Sequence, residues 1–89
     1  MRIKNGFMLR EISDTFIVVP VGERSIDFNG MITLNESGAF LWKQLSSGKD
    51  VQKEELVEAL INEYDIDVET ATADIDEFLE TLNASGIIE

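Results

Sequence analysis

The acidic window DIDVETATADID, residues 65–76, is the densest run of side chains that could bind a metal ion. Its first three acidic residues stand at the first, third and fifth positions of a calcium-binding EF-hand loop, where carboxylate oxygens coordinate the ion. However, Thr70 stands where that loop needs a glycine, and Asp76 stands where it needs a bidentate glutamate. The window also carries a good helix start. We therefore predict a helix cap and a solvated helix face here, and no metal site.

Few other groups in the sequence offer catalytic chemistry. The 89 residues include neither cysteine nor histidine. This excludes disulfides, thiolate metal sites and cysteine nucleophiles, and it removes the side chain most often used for acid-base catalysis near neutral pH. The Asp-Ser-Leu motif on which acyl carrier proteins bear their prosthetic group is absent as well. We therefore predict a protein that is not an enzyme and carries no cofactor.

Charge is divided unevenly along the chain. Residues 1–49 hold 6 Lys and Arg and 5 Asp and Glu, whereas residues 50–89 hold 1 Lys and 13 Asp and Glu. The net charge of the sequence is -11. Such a field repels nucleic-acid phosphates and favours basic partners. No basic start leads into an apolar run, and no apolar stretch approaches the roughly 20 residues that a bilayer requires. We predict a cytoplasmic protein that binds neither nucleic acid nor membrane.

The first part of the chain has the pattern of β-strands. Residues 7–12 (FMLREI) alternate loosely, residues 15–20 (TFIVVP) are rich in β-branched side chains, and the Ser-Asp pair at 13–14 is a tight turn signal. These features predict a β-hairpin. A third strand is predicted over residues 25–34, most firmly over residues 31–34.

The rest of the chain has the pattern of three helices. Asn35 is the predicted N-cap of the first, which ends at the SSG of residues 46–48; the second is predicted to begin near Asp50 as its cap. Asp67 caps the third, and Gly86 is a natural stop beyond its end. Apolar residues of the third helix recur at steps of three and four: Val68, Ala71, Ile75, Phe78, Leu79 and Leu82.

Three strands followed by three helices predict one α+β domain, residues 1–89, in which the helices cover a small sheet. The segments TFIVVP, ITLNESGAFLW and ADIDEFLETLNASGIIE follow in an order and spacing that resemble the coenzyme PQQ synthesis protein D (PqqD) family. The resemblance covers nearly the whole chain. It implies a winged-helix-like fold with a three-stranded antiparallel sheet followed by three helices.

The resemblance also implies a function, because PqqD-like domains recognise the precursors of ribosomally made, post-translationally modified peptides. The leader segment of the precursor lies against the third strand as an added strand, and the domain presents the precursor to a modifying enzyme, commonly a radical SAM protein. Carried over to this sequence, the pairing edge would be Asp27, Phe28, Asn29, Gly30, Met31, Ile32, Thr33 and Leu34. The helical wall of the cleft would include Val68, Ala71, Thr72, Ile75 and Phe78.

Three alternatives stay open from the sequence alone. Strands and helices of this number also suit a winged-helix DNA-binding or regulatory protein, although the acidic second half opposes contact with phosphate. The domain could instead be an inert partner subunit that stabilises an enzyme by docking. The sequence also leaves open whether two copies pair as a homodimer through the third strand, where they would compete with a leader peptide.

Overall fold

The computed structural model describes residues 1–22, 32–47 and 49–89. Within these ranges the elements run in the order β1 (Phe7–Ile12), β2 (Thr15–Pro20), β3 (Ile32–Leu34), α1 (Glu36–Leu45), α2 (Lys53–Tyr64) and α3 (Val68–Ala84). The three strands form one antiparallel sheet. The predicted α+β arrangement of a sheet followed by three helices is confirmed.

The β1–β2 hairpin has the predicted bounds and turn. Ser13 and Asp14 take φ angles of 49° and 65°, and both therefore lie in the left-handed region. A two-residue turn with positive φ at both positions matches the right-handed twist of the strands that it joins. Asp is one of the residues that tolerate this conformation well, since its short polar side chain can bond to the local backbone.

The third predicted strand is described only at its end. Ile32–Leu34 form β3 and pair with β2. The earlier part of the prediction, residues 25–31, lies outside the described residues. Ile32 and Leu34 are buried and Thr33 is exposed, which is the alternation expected of a sheet with one face on the core.

The passage from β3 into α1 takes a single residue. Asn35 caps the helix as predicted, because its side-chain oxygen accepts a hydrogen bond from the Gly38 amide at 2.8 Å. A glycine suits this point, since a Cβ on residue 38 would lie 3.1 Å from the Asn35 Oδ1 and 3.2 Å from the Leu34 Cβ. The strand and the first turn of the helix can therefore pack closely without an intervening loop.

The second helix begins later than predicted. Its N-cap is Gln52, so the prediction of Asp50 as the cap is wrong. The Gln52 amide donates to the Glu55 side chain at 3.2 Å, as in a capping box. The start is displaced because Val51, which precedes the helix, is buried in the core, and Gln52 after it still has an extended backbone.

Asp50 instead contacts the first residue of the chain. The amino group of Met1 donates to the Asp50 carboxylate, and this hydrogen bond holds the pKa of Asp50 below its ordinary value. The next residues run antiparallel to the last ones: the Lys4 amide donates to the Ile87 carbonyl at 2.8 Å, and Ile3 pairs with Ile88. The sequence patterns did not predict this pairing.

The third helix has the predicted cap. The Asp67 carboxylate accepts from the Thr70 amide at 2.7 Å, and hydrogen bonding from Thr70 lowers the pKa of Asp67. Asp65, which ends α2, lies in the left-handed region with φ of 52°. Gly86 has φ of 69° and stands two residues beyond the end of α3, in agreement with the predicted stop.

One hydrophobic core joins the sheet to the three helices of the described ranges. α3 buries four of the six residues of its predicted apolar stripe (Ala71, Ile75, Phe78 and Leu82), whereas Val68 is exposed and Leu79 is half-buried. α1 buries Gly38, Ala39, Leu41, Trp42 and Leu45. The largest fully buried side chains are Val18, Leu41, Leu45, Leu56, Leu60, Ile75, Leu82 and Ile87. None of the helices in residues 1–22, 32–47 and 49–89 is long and apolar enough to cross a membrane.

Candidate functional site

The outer edge of β3 is the first feature of the candidate site. The strand order is β1-β2-β3, so β3 lies at the edge of the sheet with β2 on one side. No strand in the described part of the chain pairs with its other side. Such an edge presents backbone donors and acceptors to any extended segment that approaches it.

The hairpin turn fixes the direction of the backbone groups in β2. Ile12 and Thr15 flank the two-residue turn and pair directly with each other. Residues in these positions exchange hydrogen bonds across the turn. Because hydrogen-bonding direction alternates along an antiparallel strand, Phe16 and Val18 direct their backbone groups away from β1 and toward β3.

The register between β2 and β3 then identifies the residue with outward backbone groups. Phe16 pairs with Leu34, and Val18 pairs with Ile32. These pairs use the backbone N–H and C=O groups of Ile32 and Leu34. The N–H and C=O of Thr33, the residue between them, therefore point to the outer edge of the sheet. The Thr33 side chain is exposed as well.

A cleft of about 250 Å³ lies between α3 on one side and the end of β3 with the start of α1 on the other. Its apolar floor consists of Leu34, Leu41 and Phe78. Its acidic rim consists of Asp74 and Glu77, both of which are exposed. The remaining lining residues are small or polar: Thr33, Asn35, Ser37, Gly38 and Thr81. The cleft thus combines a strand edge that no described strand pairs with, an apolar floor and negative charge.

The cleft and the core use different stripes of α3. Asp74, Glu77, Phe78 and Thr81 line the cleft and follow the i, i+3, i+4, i+7 spacing of one helical face. The core stripe consists of Ala71, Ile75, Phe78 and Leu82. At about 100° per residue the two stripes are rotated by roughly 80° from each other. Phe78 stands where they meet, so it belongs to both.

The predicted site residues divide into three groups. Thr33, Leu34 and Phe78 are brought together in the cleft, and Ile32 is buried beside them in β3. Five residues of the predicted pairing edge lie outside the described residues: Asp27, Phe28, Asn29, Gly30 and Met31. Four residues of the predicted helical wall do not line the cleft: Val68, Ala71, Thr72 and Ile75.

Helical geometry explains the position of those four residues. Ala71 and Ile75 are 0% exposed and form the core stripe beneath the wall. Val68, which is 62% exposed, and the half-buried Thr72 fall on the opposite side of that stripe from the cleft. The apolar periodicity of α3 identified the face that packs on the core. The adjacent face of the helix forms the cleft.

The sequence did carry a signal for the rim. Asp74 and Glu77 flank the apolar stripe at a spacing of three, next to the bulky Phe78. A charged pair beside an apolar stripe is ordinarily a solvated face, and only the approach of β3 turns it into the wall of a cleft. The site also includes Asn35, Ser37, Gly38 and Leu41. These residues reach the cleft because α1 starts directly after β3.

The charge of the cleft is one-sided. Neither Asp74 nor Glu77 forms a salt bridge within the described residues, and no Lys or Arg contributes to the lining. Lys53 of α2 pairs with Asp76 at 2.5 Å, on a different face of α3. The two rim carboxylates therefore remain available to a positively charged group of a ligand.

Comparison with known proteins adds two findings. The family model of coenzyme PQQ synthesis protein D (PqqD) matches residues 15–88. The solved structure of TbiB1 in complex with the TbiA(beta) leader peptide has the same fold, with a TM-score of 0.74 and 26% sequence identity over 100% of this chain and 95% of that one. No curated protein sequence matches the chain. Because the match to the family model covers most of the sequence, the chain belongs to the coenzyme PQQ synthesis protein D family.

Proposed function

We propose that this protein recognises the leader segment of a ribosomally made precursor peptide and presents that precursor to a modifying enzyme. The observation that carries the proposal is the cleft between the open edge of β3 and α3. Membership of the PqqD family supports it, and so does the likeness to TbiB1, which was solved with a leader peptide. The role is one of binding and delivery, without chemistry of its own.

The leader would bind as a strand added to β3. Its backbone would bond to the outward N–H and C=O of Thr33, which accept any sequence. Its alternate side chains would point into the cleft, in line with Leu34, and meet Leu41 and Phe78 on the floor. Selection among precursors would therefore depend on these alternate side chains, and only weakly on the others.

The extent of the pairing edge and of the helical wall is part of the proposal. A strand that continues β3 backward from Ile32 through residues 27–31 would lengthen the pairing surface. On α3, Phe78 is the predicted wall residue that would touch a leader directly. Ala71 and Ile75 would act indirectly, since they hold α3 on the core at the right distance from β3.

The proposed partner is a maturation enzyme, and the family resemblance favours one of the radical SAM class. A leader that is disordered before binding loses about 2 to 5 kcal/mol in becoming ordered. We therefore expect roughly micromolar to high-nanomolar affinity, which permits release after modification. We further propose that residues 1–89 act as a single cytoplasmic domain.

An amide chemical-shift titration tests the proposed function. The ligand is a synthetic peptide with the sequence of the leader half of a candidate precursor, sought among the short reading frames beside this gene, and the domain is isotope-labelled. We expect saturable shifts in β3 and Asn35 and along residues 74–81 of α3. If the peptide instead causes saturable shifts elsewhere and none in these two segments, it binds at another surface, and the proposal would then be abandoned.

A further inference from the structure

We infer that the cleft selects leader segments that carry a Lys or Arg side chain beside an apolar one. This inference rests on the proposed function and names the class of peptide that the site takes. Its basis is the juxtaposition of the apolar floor (Leu34, Leu41 and Phe78) with the acidic rim (Asp74 and Glu77) along an open strand edge. The occupant is therefore an extended peptide with at least one cation directed into the cleft.

The shape of the side chain follows from the two surfaces. Lys and Arg lay apolar stems along an apolar surface while their charged ends remain in water. The floor offers that surface, and the rim carboxylates are exposed at the mouth of the cleft. A leader side chain aligned with Leu34 enters this space, because neighbouring residues of paired strands project on the same face. A shorter acidic side chain at this position would meet like charge.

The spacing in the leader follows from strand geometry. Residues i and i+2 of an added strand project on the same face of the sheet, toward α3, and residue i+1 projects to the other face. The floor favours an apolar side chain at one of these positions, and the rim favours a cation at the other. The recognised pattern is thus apolar-x-basic or basic-x-apolar, where x is unrestricted.

The other acidic residues of α3 do not share this role. Asp76 is engaged by Lys53. Glu69 and Glu80 are exposed and do not line the cleft; at about 100° per residue they are turned roughly 130° and 110° from the middle of the cleft stripe, toward the face opposite the core. Removing two charges at 69 and 80 changes the net charge by the same amount as removing two at the rim. The two pairs of positions therefore form a matched comparison.

The test uses a phage-displayed library of random 12-residue peptides selected on the folded protein. We expect the enriched peptides to contain the apolar-x-basic or basic-x-apolar pattern. Their binding should require the outer edge of β3, so Thr33→Pro should abolish it. For these peptides Asp74→Asn/Glu77→Gln should weaken binding about five- to thirtyfold at low salt. Glu69→Gln/Glu80→Gln should change it by less than about twofold. At about 1 M salt the difference should largely disappear, because the Debye length falls to about 3 Å.

The outcomes separate the inference from the proposed function. Peptides that require Thr33 but show no excess of Lys or Arg, and bind equally to the rim variant, would overturn the inference and leave leader binding intact. Equal losses in the rim variant and in the control at 69 and 80 would also overturn it, because the effect would then come from net charge alone. A selection that enriches no Thr33-dependent peptide would overturn both.

Discussion

Replacing Thr33 with proline is the sharpest perturbation of the proposed binding mode. The register of the sheet directs the backbone of Ile32 and Leu34 toward β2 and that of Thr33 outward. Proline at 33 removes an N–H that no β2 residue uses and adds a ring on the side from which a leader would approach. Proline is tolerated on edge strands where the missing N–H faces solvent. We therefore expect the variant to fold and to lose the leader.

The size of the loss follows from the groups involved. One hydrogen bond is removed, for a net cost of about 0.5 to 1.5 kcal/mol, and a leader carbonyl is left unsatisfied, for about 1 to 3 kcal/mol. A combined cost of about 2 to 4 kcal/mol weakens binding about 30- to 1,000-fold. Fluorescence anisotropy with a labelled leader peptide measures the dissociation constant, and urea unfolding measures stability in parallel.

Two matched variants control this experiment. Thr33→Val keeps the backbone amide and the β-branched shape, so leader binding should change little. Ile32→Pro removes a ladder hydrogen bond to Val18 and a buried side chain, so it should lower the free energy of unfolding substantially. Retention of leader affinity in a folded Thr33→Pro protein would refute strand addition at this edge.

Further predictions concern stability and the charge of the cap. Ile75→Ala should lower the free energy of unfolding in urea by about 2 to 5 kcal/mol, because the side chain is fully buried. Val68→Ala, on the exposed side of the same helix, should lower it by less than about 0.5 kcal/mol. Similar losses at both positions would contradict the assignment of the core stripe. Asp67→Ala should lower stability by about 0.5 to 2 kcal/mol through loss of the cap, and Asp67→Asn by less. Hydrogen bonding lowers the pKa of Asp67 in the folded state. The stability that its charge adds to the folded protein is therefore fully present above the unfolded pKa of about 3.9 and is lost as the pH falls through the folded pKa. The stability difference between the native protein and Asp67→Asn should therefore shrink in acid, and a difference that is constant from pH 7 to pH 2 would contradict this explanation. Duplex DNA should not be retarded at physiological salt, given the acidic second half of the chain; a clear shift would favour the winged-helix alternative.

The local signals in the sequence were sufficient for most of the fold. The hairpin at Ser13 and Asp14, and the caps at Asn35 and Asp67, depend on interactions within a few residues, so they can be recognised without knowledge of the rest of the chain. The core stripe of α3 is likewise a local property of helical spacing. These features agree with one another, which is what a sequence that specifies one structure requires.

Features that depend on distant residues could not be predicted in the same way. Asp50 has the chemistry of an N-cap, but burial of Val51 delays the helix and Met1 binds the Asp50 carboxylate. The pairing of Ile3 with Ile88 joins the two ends of the sequence and has no local signal. The cleft also depends on residues that are distant in the sequence. Asp74 and Glu77 form a rim only because the sheet and α1 bring Leu34 and Leu41 opposite them.

The most direct test of the proposed function is the hydrogen exchange of the Thr33 amide. Its N–H faces away from β2, so without a leader it should exchange rapidly, whereas the amides of Ile32 and Leu34 should be protected by the ladder. When the leader peptide saturates the protein, strand addition predicts that Thr33 becomes at least about tenfold slower to exchange, since it then donates to the added strand. Unchanged exchange at Thr33 in the saturated complex would contradict binding of the leader at the edge of β3.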